Sequence, residues 1–239
     1  MPMRSVAALL AVLWVASGCS PTGIAEDTLV RQLPRVIGPA DAYTVDVTGL
    51  NARTGEADRV TIQGVGVRPE GSPVIRRLDV DVRDLQVNRS TRKLTRVGSA
   101  RTTARVAASD LADFLNQRDD VRDATVTLRP PDAIVLRVRP VVRGLTIPGG
   151  TVEAAGRLVA EDGVVRFDIE TVRALGVGLG RTVARRLADQ LNPVADLRST
   201  RAHLRVTDVR VEDGLLVLDG EADLQGASLK STSSEGWGS

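Results

Sequence analysis

The chain has almost no cysteine, histidine or aromatic side chains. Its 239 residues contain one Cys, Cys19, and one His, His203. A single Cys excludes an intrachain disulfide in any compartment. Zinc sites draw on clusters of Cys, His and carboxylate, and two of those three ligand types are nearly missing. Aromatics make up 2% of the residues. Trp14 and Trp237 lie near the two ends, and only Tyr43, Phe114 and Phe167 lie between them. Sugar platforms and single-strand nucleic-acid grooves rely on stacking, for which this chain has little material. An excess of one charge is also missing, with 32 basic against 30 acidic residues. The basic residues are Arg apart from Lys93 and Lys230, and they are spread along the chain between Asp residues. That spacing reads as solvated faces, without the concentrated basic patch of a nucleic-acid binder. No cofactor, metal or nucleic-acid partner is expected.

What the chain does have is a telling N-terminus. Arg4 precedes an uncharged stretch from Ser5 to Gly18, and Cys19 follows. A basic start, a short apolar run and small residues before a break describe a secretory signal. The run falls short of the roughly 20 apolar residues that a spanning helix needs. Ala16-Ser17-Gly18-Cys19 resembles a bacterial lipobox. The expectation is a signal over 1–18, a lipid-attachment site at Cys19, a tether over 19–22, one domain over 23–224 and a disordered polar tail over 225–239. The chain would be exported and lipid-anchored to the outer face of the cytoplasmic membrane.

The periodicity changes along the chain. Leu29, Leu33 and Ile37 recur at helical spacing, so a helix is predicted over Gly23–Ile37, with Pro34 as its kink or break. From Tyr43 onward apolar residues alternate with Thr, Asp and Arg, the pattern of antiparallel strands with one polar face. A long strand is predicted over Leu94–Ala107. Ser109 reads as the cap of a short helix bearing Leu111, Phe114 and Leu115. Gly176-Val177-Gly178-Leu179 is expected to open a third helix, whose stripe is Leu179, Val183, Leu187 and Leu191. Glu161-Asp162-Gly163 and Glu212-Asp213-Gly214 read as hairpin turns.

One frame recurs at Val47–Ala52, Val82–Val87, Val142–Ile147 and Val206–Val211. Apolar residues stand at its positions one, four and six, and Gly or Asp at position three. Strict alternation would put positions one and four on opposite faces. A β-bulge returns them to one face and bends the strand.

Catalytic chemistry is scarce. A Ser-His-Asp triad has only His203 to use, and no Gly-x-Ser-x-Gly elbow is present. Ser90-Thr91-Arg92-Lys93 matches Ser-x-x-Lys without the companion motifs, and in a turn. Gly176-x-Gly178-x-Gly180 lacks the spacing and the βαβ setting of a phosphate loop. Apolar structure remains: amphipathic helices and an aliphatic sheet face, which either close into a dry core or leave a groove for acyl chains.

The order of elements then points to a family. The lipobox leads to a helix ending near Gly38-Pro39 and the strand Tyr43–Val47. Leu85-Gln86-Val87, the Ala104–Leu111 strand-to-helix step, the late helix and the hairpin Val209–Val217 follow. Together these resemble the LmeA-type bacterial phospholipid-binding envelope proteins, a family similar to the tubular lipid-binding (TULIP) superfamily. The resemblance implies an α+β fold in which a long, strongly curved antiparallel sheet wraps around amphipathic helices. It implies phospholipid or related acyl-lipid binding in a hydrophobic cavity, in support of envelope lipid or lipoglycan assembly, with no catalytic residues to carry over. Leu29, Leu33, Ile37, Leu111, Phe114, Leu115, Leu179, Val183, Leu187 and Leu191 are the residues expected to line or gate that cavity. The alternative is a structural or adaptor lipoprotein with a filled core, acting through protein partners.

Overall fold

The computed structural model describes residues 21–51, 53–88, 93–140, 150–161, 163–196 and 204–222. Cys19, His203, the frame at Val142–Ile147 and the C-terminal tail lie outside the described residues. Helix α1 spans Pro21–Val36. The alternating segments then form β1 (Ala42–Thr48), β2 (Glu56–Val67), β3 (Ile75–Asn88), β4 (Lys93–Arg96) and β5 (Ser99–Ala107). Helix α2 (Ala108–Asn116) separates these from β6 (Val121–Arg129), β7 (Ala133–Pro140), β8 (Val152–Glu161), β9 (Val164–Ala174) and β10 (Val177–Gly178). Helix α3 (Arg181–Leu191), β11 (Leu204–Glu212) and β12 (Leu215–Ala222) complete an α+β fold that is mostly antiparallel sheet.

The strands form two sheets where the sequence suggested one long sheet. The first has seven strands in the order β1-β2-β3-β5-β12-β11, with β4 also paired to β3, and the second runs β10-β9-β8-β7-β6. They meet along β11, whose outer edge faces hairpin turns instead of a strand. Val206 donates its backbone N–H to the Gly163 carbonyl at 3.2 Å, and Val211 donates to the Pro131 carbonyl at 2.6 Å. Contacts to turns satisfy an edge without continuing the ladder, so the sheets abut. Their inner faces and all three helices share one apolar cluster. Full burial of each Leu or Val side chain there contributes about 1.5–3 kcal/mol.

The frame's burial pattern holds at two copies, but a register shift accompanies it only at Val206/Asp208; between Val82 and Leu85 the pairing with β2 stays in step, and at Val47 the strand ends at Thr48 with Leu50 half-buried. Val82 and Leu85 are both buried with two exposed residues between them, and Val206, Val209 and Val211 are buried with a register shift at Val206/Asp208. Gly49 and Asp84, at position three of their frames, adopt φ of 68° and 52°. Gly and Asp tolerate that left-handed backbone, which explains their place in those two copies; Asp208, at the same position, is not left-handed. A further copy, Val121–Val126, escaped the pattern because Ala124 is its fourth residue. There Asp123 has φ 53° and the register shifts between Arg122 and Thr125.

Four local expectations are corrected. The strand over Leu94–Ala107 is broken at Val97-Gly98, where the Gly98 N–H turns to the Arg83 carbonyl at 3.0 Å. Ser109 is inside α2, whose N-cap is Ala107 without a side-chain bond. Asp110 lies in the first turn instead, favourable for a carboxylate at a helix N-terminus. Pro34 does not break α1, because it sits exposed in the last turn and Ile37 still bonds the Leu33 carbonyl at 2.9 Å. The third helix starts at Arg181, since Leu175 and Gly176 form a hairpin turn before it.

Arginine and aspartate pair across the outer face of the first sheet. Arg59 and Arg83 hold Asp81 at 2.7 and 3.1 Å, Arg105 holds Asp79 at 2.8 Å, and Arg210 bridges Asp208 and Asp219. Burial alone would raise the carboxyl pKa of Asp81 and Asp219. Hydrogen bonds from Arg59 and Arg83, and from Thr103 and Arg210, outweigh it and hold both below the usual range. A depressed folded-state pKa gives stability that is fully present above the unfolded value and is lost as pH falls through the folded value. The melting temperature should therefore hold steady between pH 7 and 5 and fall below about pH 4. Asp219→Asn should flatten that acid limb in a circular dichroism pH series. An unchanged limb would remove the pair from the account.

Candidate functional site

Helix α3 is fastened more firmly at its C-terminus than at its N-terminus. Its C-terminus leaves carbonyls without intrahelical partners, and such groups need donors from elsewhere. Arg118, from the loop after α2, supplies them: its guanidinium bonds the Gln190 carbonyl and the Leu191 carbonyl, the latter at 3.4 Å. Asn192 then imitates a strand. Its side-chain oxygen accepts the Phe167 N–H at 2.7 Å and its amide donates to the Phe167 carbonyl at 3.0 Å. Val194 donates to the Val165 carbonyl at 2.9 Å, and Val165 donates to the Ala195 carbonyl at 2.9 Å. The N-terminal side is held more lightly: Leu179 donates its N–H to the Val172 carbonyl at 2.8 Å. Its cap is Gly180 without a side-chain bond, and a side chain at Gly176, Gly178 or Gly180 would meet open space.

The apolar stripe of α3 follows that asymmetry. Leu187 and Leu191 are buried, whereas Leu179 and Val183 are half-buried. The helix thus passes from core to solvent along its own axis.

Helix α1 covers the free edge of the first sheet. Glu26 accepts the Val47 N–H at 3.0 Å, satisfying a donor that the edge strand would otherwise show to solvent. Its stripe is fully enclosed at Leu29 and Leu33 and buried at Ile37. Helix α2 buries Leu111 and Leu115 and leaves Phe114 half-buried. Arg76 of β3 fixes its first turn through two hydrogen bonds to Asp110, one of 2.8 Å.

All ten residues proposed from the sequence therefore meet in one cluster. Leu29, Leu33, Ile37, Leu111, Leu115, Leu187 and Leu191 form its buried part, and Phe114, Leu179 and Val183 pack against it from the half-exposed side. Sequence reasoning missed Arg118 and Asn192, because each acts on a partner far along the chain. It also missed Leu175 and Val177, which are exposed on the β9–β10 hairpin.

A concavity of about 390 Å³ opens elsewhere, on the outer face of the second sheet. Thr125, Thr127 and Thr171 floor it, and Arg129, Arg137 and Arg173 rise around it. Arg137 is paired with Glu153 at 2.9 Å. This surface is polar and lies across the sheet from the apolar cluster. Among the described residues, no group of three or more His, Cys, Asp or Glu could hold a metal ion, and no helix is long and apolar enough to cross a membrane.

The family model for LmeA-like phospholipid-binding proteins matches residues 23–221. The chain belongs to the LmeA-like phospholipid-binding family. No curated protein and no solved structure matches it significantly. The match runs from α1 through β12 and so includes all three helices and the whole cluster. The LmeA-like family is a lipid-binding one, and an apolar cluster with one half-open helix is a chemistry suited to acyl chains.

Proposed function

We propose that the protein binds a phospholipid or related acyl lipid between its helices and the inner faces of its sheets, with α3 as the gate. The observation that carries this reading is the graded stripe of α3, half-exposed at Leu179 and Val183 and buried at Leu187 and Leu191, on a helix whose side-chain clamps are both at its C-terminal end. Lifting the N-terminal half of α3 exposes little that is not already partly wet. Uncovering Leu187 costs about 1.5–3 kcal/mol, whereas a tail that buries ten methylenes gains about 8 kcal/mol. The balance favours opening when a lipid is present and closure when none is. In the lipid-bound state the sheets would wrap the helices as in TULIP proteins.

The lipobox supports a second part of the proposal. Cys19, lipidated, would hold the domain on the outer face of the cytoplasmic membrane, where it would bind and transfer lipid for envelope lipid or lipoglycan assembly. Replacing Cys19 with Ser should move the exported protein from the membrane to the soluble fraction. Continued membrane association of all the protein after that change would refute the anchor. For the binding itself, incubation with liposomes carrying a fluorescent phospholipid should leave label on the re-isolated protein.

The close packing of the cluster equally suits the alternative, an envelope adaptor with a filled core that acts through protein partners. That reading predicts no lipid transfer from liposomes and a protein recovered by crosslinking.

A further inference from the structure

The β9–β10 hairpin carries a leucine where its geometry favours a small polar residue. Ala174 and Val177 pair across a two-residue turn, in which Leu175 and Gly176 have φ of 50° and 78°. This is the mirror-image turn of tight hairpins, and it prefers Asn-Gly or Asp-Gly. The β11–β12 hairpin follows the preference with Asp213-Gly214, at φ of 50° and 73°. Among the described residues, the other left-handed positions that are not glycine are all Asp: Asp84, Asp123 and Asp213. Leu175 is the exception, and packing does not account for it. It is 78% exposed, and Val177 beside it is 66% exposed. A strained backbone that presents an apolar side chain to water points to a partner outside the chain.

The charges around the tip identify that partner's chemistry. From Thr171 to Ala188 there is no carboxylate, while Arg173, Arg181, Arg185 and Arg186 fall in that stretch. All four are exposed. Many arginines elsewhere on the sheets meet aspartate or glutamate, as at Arg59, Arg105, Arg137 and Arg157, although among the described residues Arg101, Arg122, Arg129 and Arg205 do not. Among the described residues, none of the four tip arginines has an ion-pair partner. Arg173 stands opposite Gly178 in the β9–β10 pair, and Arg181 opens α3 directly after Gly180. The result is an apolar knuckle inside a cationic collar.

We infer that this tip docks on an anionic bilayer, with Leu175 and Val177 in the boundary between head groups and acyl chains and the arginines against lipid phosphates. Apolar side chains flanked by Arg suit that interface, where burial and attraction to anionic lipid add. Docking rests on the hairpin and its charges alone. Its value to the proposed function is continuity, since the half-exposed stripe of Leu179 and Val183 begins where the tip ends.

The test uses the full chain with Cys19→Ser and Leu175→Cys, labelled at residue 175 with an environment-sensitive fluorophore. A Thr54→Cys label in the β1–β2 turn is the control. The N-terminal apolar segment is present in every variant and cancels in the comparison. On vesicles of phosphatidylglycerol and phosphatidylcholine, the label at 175 should shift to the blue and be quenched by brominated acyl chains, and the label at 54 should do neither. Replacing Arg181, Arg185 and Arg186 together with Gln should weaken binding to these vesicles about 100-fold, roughly fivefold per charge. With a label at Val177→Cys, Leu175→Asn should weaken binding at least about tenfold. The same variant should melt no lower than its parent, because Asn suits the turn better. A label that stays aqueous on these vesicles would overturn the inference, as would an equal shift on pure phosphatidylcholine, or shielding by an added envelope protein and not by vesicles. Bound lipid, weighed by native mass spectrometry, is read separately. Loss of docking with lipid retained defeats only the tip, and docking without any bound lipid defeats only the cavity.

Discussion

Asn192→Ala should cost about 2–4 kcal/mol of stability and free the lower end of α3. The side chain makes two bonds to the Phe167 backbone, at 2.7 and 3.0 Å. Each such bond contributes about 1 kcal/mol, and each backbone group left unsatisfied adds a desolvation cost of about 1–3 kcal/mol where water cannot reach it. For a chain of this size that is a fall in melting temperature of roughly 4–16 °C. The functional consequence is sharper than the thermal one. With the C-terminal clamp reduced to Arg118 and the Val165 pairing, α3 is held less firmly, and bound lipid should exchange into acceptor liposomes faster than from the parent protein. Thermal melts and a fluorescent-lipid exchange assay on the same preparation check both. A variant that melts like the parent would remove Asn192 from the clamp. A variant that melts lower and exchanges lipid at the parent rate would separate the clamp from the gate.

Val183→Asp should weaken lipid uptake at least about tenfold while leaving the fold in place. Val183 is half-buried on the α3 stripe, so a carboxylate there can turn toward water in the lipid-free protein. A lipid tail laid beneath the helix removes that freedom. The tail loses an apolar neighbour, and the carboxylate faces a desolvation cost that grows with enclosure. Affinity should fall at least about tenfold, or about 1.4 kcal/mol. Thr182→Asp, on the exposed side of the same helix, should bind as the parent does. Equal uptake by all three proteins would place the lipid away from α3.

Local physics made much of the fold legible in the sequence. The helical spacing of Leu29, Leu33 and Ile37 placed α1, and the alternation after Tyr43 gave antiparallel strands with one polar face. The turns near Gly163 and Gly214 stand where Asp-Gly put them. The bulge frame foretold buried pairs at Val82/Leu85 and Val206/Val209, because a two-residue polar insertion in an alternating strand can mean little else. What escaped depends on distance along the chain. Arg118 reaches carbonyls 72 and 73 residues away, and Asn192 pairs with a backbone 25 residues back. The split into two sheets turns on which edge meets β11, and no local pattern encodes that. The start of α3 was misplaced for a different reason. The helix expected from Gly176 starts at Arg181, because Gly176 belongs to the β9–β10 turn and Val177-Gly178 pair with β9.

Of the site, membership of the cluster was legible in the apolar stripes, and its mechanics were not. The ten aliphatic and aromatic positions share one cluster because amphipathic stripes must be buried somewhere. That α3 is held more firmly at its C-terminus than at its N-terminus depends on hydrogen bonds that composition cannot show.

The central claim is that the apolar cluster between helices and sheets accepts a phospholipid. Native mass spectrometry of the purified protein after incubation with phospholipid vesicles tests it most directly. The account predicts a second peak heavier by the mass of one phospholipid, present in the parent and Thr182→Asp proteins and much reduced in Val183→Asp. Only the mass of the polypeptide in all three, from vesicle-treated samples that remain folded, would contradict it.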